Sequence, residues 1–103
     1  MTNTTTIPFA DGSIFGQRAI AHSDGGNGYK QYVVTVRVTT NGNFIVTKYW
    51  GKDGQSMFSL RSQIVGEFDT YLTAKNRAKM TMWAKTDGKY QLTEEYEQKL
   101  VSA

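Results

Sequence analysis

Near the middle of this 103-residue chain, Trp50-Gly51-Lys52 closes an apparent strand and is followed at once by Asp53-Gly54-Gln55. A flat indole beside ammonium groups suits one kind of chemistry well. The ring stacks on a base or sugar while neighbouring cations neutralise phosphates, and such stacking is worth about 1–3 kcal/mol per base. The residues that could act together in this way are Trp50, Lys52, Lys48, Arg37 and Lys30. The same indole could also plug the sheet or cover a helix, as many tryptophans of small domains do. The sequence leaves both roles of Trp50 open.

Other chemistries find little material. There is no cysteine, which removes disulfides, thiolate metal sites and cysteine nucleophiles, and His22 is the one histidine. The carboxylates are scattered: Asp53 lies in a turn, Glu67 and Asp69 precede a helix, and Glu94, Glu95 and Glu97 read as a helix start. General acid/base catalysis needs a positioned pair, and no His/Asp/Glu group has metal-ligand spacing. No enzyme, metal or cofactor is therefore expected. The glycine-rich segments "DGGNGYK" and "GKDGQS" lack the Gly-Lys-Ser/Thr ending of a phosphate loop and read as turns.

Charge is unevenly spread. Net charge is +3, but Lys30 to Tyr90 hold ten Lys/Arg against four acids (Asp53, Glu67, Asp69, Asp87). A basic middle segment attracts phosphate polyanions or an acidic protein face. No apolar run is long enough to cross a bilayer, and the opening "MTNTTTIPFADGS" lacks the layout of a signal peptide, so a cytoplasmic protein with no membrane partner is expected. The composition is that of one small globular domain over 13–103, preceded by a Thr-rich flexible arm over 1–12.

The elements that must position the basic and aromatic residues are legible in outline. Ser13 to His22 reads as a strand. Tyr32 to Val38 and Phe44 to Trp50 flank Asn41-Gly42 and read as a β-hairpin with a two-residue type I′ turn. That turn would pair Val38 with Ile45 and Val33 with Trp50, placing Arg37, Thr35, Lys48 and Trp50 on one face and Val34, Val36 and Val38 on the other. A further strand is expected around Met57 to Leu60. A helix is expected from about Thr70 to Thr86, with Tyr71, Ala74, Ala78 and Met82 on one side and Trp83 in the core, and with Gly88 as a left-handed cap. Thr93 with its following acids suggests a short terminal helix. The fold class is α+β: an antiparallel sheet of four or five strands packed on one main helix.

The order of "YKQYVVTVRV", "FIVTKYWGKDGQ" and "TAKNRAKMTMWAKTDGKY" resembles the WGR domain family over roughly Tyr29 to Leu92. In that family a strand pair leads into a Trp-Gly-Arg turn, a Gly-Gln follows, and a lysine-bearing helix ends near a Lys-Gly-Tyr. Here Lys52 replaces the arginine, keeping the charge without the planar fork, and the segment to Gly54-Gln55 is shorter. The resemblance implies that Trp50 lies against a sugar-phosphate backbone and that Lys52 contacts phosphate or a partner. A fainter likeness is to the single-stranded-DNA-binding coactivator family. The expected function is a non-catalytic module binding DNA or RNA without sequence specificity. The alternative is a small phage or mobile-element protein that uses the same face to inhibit a host protein through its acidic surface. A homo-oligomer burying Trp50 against itself is a third possibility.

Overall fold

The computed structural model describes residues 9, 11–22 and 28–98. Five strands, β1 (Phe15–His22), β2 (Tyr29–Val38), β3 (Phe44–Lys52), β4 (Arg61–Phe68) and β5 (Gln91–Glu97), form one antiparallel sheet in the order β4-β3-β2-β1-β5. One α-helix among the described residues, α1 (Tyr71–Thr86), joins the two edge strands and packs on one side of the sheet. The expected α+β architecture is therefore present. The chain before Phe9, Ala10 and the glycine-rich loop at 23–27 lie outside the described residues, as does most of the arm expected over 1–12.

The helix begins where Thr70 accepts a hydrogen bond from the Thr73 amide at 3.3 Å, leaving its own backbone extended. Ala74, Ala78 and Met82 recur at helical spacing and are buried against Phe15, Ala19, Tyr32, Val34, Val36 and Val46. Two alanines in this row let the helix approach the sheet closely. Its end differs from expectation. Asp87 is right-handed, Gly88 is not left-handed, and the amides of Gly88 and Tyr90 both donate to the Lys85 carbonyl.

The hairpin also differs from expectation, with consequences for the whole surface. Thr39 and Asn43 close a three-residue loop: the Thr39 amide donates to the Asn43 carbonyl at 2.8 Å, and the Gly42 amide donates to the Thr39 carbonyl at 3.0 Å. Gly42 has φ of 83° while Asn41 is not left-handed, so the type I′ turn does not form. The Thr39 hydroxyl accepts from the amides of Asn41 and Asn43, satisfying groups that a tighter turn would pair differently. Pairing slips by one residue: Val38 faces Phe44, Val34 faces Lys48, Tyr32 faces Trp50 and Lys30 faces Lys52.

Every residue from Gln31 to Val36 is buried, so both faces of β2 are covered. On the side away from α1, Phe9 lies over Gly16, where a Cβ would come within 2.4 Å of its ring. Beside it, Asp11 accepts hydrogen bonds from the Thr35 hydroxyl at 2.6 Å, the Tyr49 hydroxyl at 2.8 Å and the Ser13 amide at 3.1 Å. Burial, reinforced by Asp11, pushes the Tyr49 phenol up to about 12.

Two further expectations are overturned. Met57–Ser59 is a 3-10 turn rather than a strand, and the strand comes after it, through Gly66. The segment from Thr93 is β5 rather than a helix. Its acids find donors across the sheet and on α1: Glu94 meets Arg18 at 2.7 Å, Glu95 accepts from Gln17 at 2.7 Å, and Glu97 meets both Lys75 and Tyr71 at 2.7 Å. Lys75, with help from Tyr71, holds the Glu97 carboxyl below the usual glutamate range. Register shifts at Val65 in β4 and Thr93 in β5 break the regularity of both sheet edges.

Candidate nucleic-acid interface

The slipped register redistributes the residues singled out in the sequence. Trp50, Lys48, Lys52 and Lys30 occupy alternate positions that share the helix side of the sheet with Tyr32, Val34 and Val36. Arg37 faces the other way. The proposed common face of Arg37, Lys48 and Trp50 therefore does not exist, because one extra loop residue inverts a strand relative to its partner. Arg37 lies 3.9 Å from Asp11, and its Nε is buried without a hydrogen-bond partner.

Trp50 is divided between the core and an open surface. It is half-buried and packs against the core, with the Lys48 ammonium 5.8 Å from its ring centroid. Its exposed part lines an open depression of about 350 Å³, together with Gly51, Gln55, Ser59 and Arg61. Arg61, directly opposite Trp50 on β4, is a basic residue of this site that the sequence reading did not select. Its signal was weak, because it lay outside the span expected to be a strand.

The Trp-Gly-Lys and Gly-Gln elements have a local structural cause. A Cβ on Gly51 would lie 2.7 Å from both Gln55 Oε1 and Leu60 Cδ2, so only glycine admits these two side chains. Gln55 Oε1 accepts from the Lys52 amide at 2.7 Å, and Gly54, at φ of 93°, makes the turn between them. Gln31 ties the same turn to β2 by donating to the carbonyls of Lys52 and Gln55.

Around β3 and β4 the acids lie on one face only. On the side away from the helix, Arg18 bridges Asp53 at 2.6 Å and Glu94 at 2.7 Å, and Asp11 and Glu67 lie on this side too. On the helix side, β3 and β4 present Lys48, Lys52, Arg61 and Gln63 with no acid among them. The helix above carries Lys75, Arg77, Lys79 and Lys85 and no acid. Of all these cations only Lys75 has a carboxylate within 4 Å among the described residues. Arg77 and Lys85 instead sit over the rings of Phe68 and Tyr32, at 5.6 and 5.2 Å. Lys30 and Lys52 face each other directly across the ladder, an arrangement that like charges disfavour and a bound anion relieves.

A second, larger groove of about 470 Å³ lies on the β1–β5 side of α1, lined mainly by Met80, Met82, Trp83 and Leu92. Trp83 is 63% exposed rather than in the core. Its position, one residue beyond Met82, turns it off the buried row. Among the described residues, no three His, Asp or Glu side chains come together to hold a metal ion, and no helix is long and apolar enough to cross a membrane. The likeness to the WGR family rests on the motif residues themselves. The chain matches no family model, no curated protein and no solved structure.

Proposed function

We propose that this chain is a non-catalytic, WGR-like module that binds nucleic acid without sequence specificity through the helix side of β3 and β4. Lys48, Lys52, Arg61 and Lys30 neutralise phosphates, and the exposed part of Trp50 supplies an apolar contact to sugar or base. The observation that carries this reading is the sorting of charge. The acids gather on the opposite face or at β5 and the helix ends, while the depression beside Trp50 is lined by Arg61, with Lys48 5.8 Å from the indole, and neither cation has a carboxylate partner among the described residues. Such a surface repays its own repulsion by binding a polyanion. Arg37, paired with Asp11 on the far side, has no part in it.

The test is the salt dependence of binding to a fluorescently labelled oligonucleotide. Four phosphate contacts give a log–log slope of about −3, between the single-strand and duplex values. A flat response, or no binding to any DNA or RNA at low salt, overturns the proposal.

A further inference from the structure

Phe58 is the most exposed large apolar side chain among the described residues, at 83%. It stands in the 3-10 turn Met57–Ser59, next to Ser59 on the wall of the Trp50 depression. The turn that presents it is held at both ends. The Ser59 amide donates to the Ser56 carbonyl at 2.9 Å and the Leu60 amide to the Met57 carbonyl at 3.3 Å. Leu60 is buried against Gly51, and Gln55 is bonded to β2 and β3. A bare aromatic ring on an anchored turn loses little conformational freedom when something covers it.

We propose that Phe58 is a stacking platform for an unpaired base, so that the ligand of this site is a single-stranded nucleic acid. This rests on the nucleic-acid reading above and goes beyond it. A phenyl ring has no group that could read a base edge or hold a phosphate, so its contribution requires an open base face. In a duplex those faces are covered by neighbouring bases; in a single strand they are free. Arg61, three residues along the chain, and Trp50 line the depression that Ser59 borders, so a strand stacked on Phe58 would find a cation there for its connecting phosphates. The charge argues against an apolar protein segment as occupant.

The experiment compares the full chain with Phe58→Ala on a labelled oligothymidine, on the same oligomer's hybrid with oligoadenosine, and on a mixed-sequence DNA duplex. The wild-type chain binds the single strand more tightly, and Phe58→Ala weakens that binding about tenfold while leaving duplex binding and the unfolding midpoint unchanged. Equal loss on single strand and duplex makes Phe58 a wedge between stacked pairs and overturns the inference. Unchanged binding to all three overturns it as well, with the nucleic-acid reading intact. No binding by the wild-type chain to any of them removes both.

Discussion

Replacing Asp11 by alanine exposes how the far side of the sheet is held. The carboxylate is 10% exposed and accepts from two hydroxyls, that of Thr35 at 2.6 Å and that of Tyr49 at 2.8 Å. Thr35 is fully buried and has no water to turn to. Hydrogen bonds to a charged acceptor are worth about 1.5–3 kcal/mol each, so losing both costs about 3–6 kcal/mol, a large share of a small domain's stability. Asp11→Asn, which keeps one acceptor oxygen, loses less. Urea unfolding measures the loss, and an ultraviolet titration of tyrosinate provides an independent readout. In the native chain the Tyr49 phenol is pushed up to about 12. Its folded value lies above the unfolded value of about 10, so its contribution to stability is fully present below pH 10 and disappears as pH rises towards 12. Asp11→Asn moves that titration downward. A loss below about 1 kcal/mol in Asp11→Ala, with the tyrosine titration of Asp11→Asn unchanged, would refute the assignment of Asp11 as the clasp of this face.

Other expected outcomes concern the helix side. Glu97 is held below the ordinary glutamate range by Lys75 and Tyr71, so the stability it contributes is present above the unfolded value and lost as pH falls through the folded one. Lys75→Met should therefore flatten the acid limb of a denaturation curve measured against pH. The two tryptophans should separate clearly. Truncating a fully buried Trp costs about 3–5 kcal/mol, so the half-buried Trp50 should lose roughly 2 kcal/mol on change to Ala, whereas Trp83→Ala should lose less than about 1 kcal/mol. Thermal unfolding followed by circular dichroism checks both.

The helix and the central strands were legible because their signals are local: alanines at helical spacing, a β-branched run, and a turn between two such runs. What failed depended on partners distant in sequence or on one backbone angle. Asn41-Gly42 announces a tight turn, yet the Thr39 hydroxyl captures two loop amides and leaves only Gly42 left-handed. That one residue decided which side Arg37 faces. Thr93-Glu94-Glu95 has the local form of a helix start, but β1 offered a free edge, with Arg18 and Gln17 ready to receive the two acids. Tertiary pairing overrode propensity there. β4 was hidden by its polar opening and by Gly66, which sits beside the register shift. Phe58 was hidden in the segment around Met57 to Leu60 that was expected to be a strand.

Of the two motif glycines expected to form turns, Gly54 makes one and Gly51 lies within β3. The grouping of the basic and aromatic residues was not recoverable from pattern alone. Arg61 joins the site because β4 returns beside β3 and sets it opposite Trp50, and Arg37 leaves it because of the hairpin loop.

The most direct test of the proposed surface is to neutralise it and its opposite separately. Fluorescence anisotropy of a labelled single-stranded oligonucleotide would be measured against salt for the wild-type chain, for Lys48→Gln/Lys52→Gln/Arg61→Gln, and for Arg37→Gln. The triple change should reduce the magnitude of the salt slope by about 2, at roughly 0.7 per phosphate contact, and weaken binding accordingly, while Arg37→Gln leaves both unchanged. An equal effect from Arg37→Gln, or an undiminished slope in the triple variant, would contradict the assignment of nucleic-acid binding to the helix side of β3 and β4.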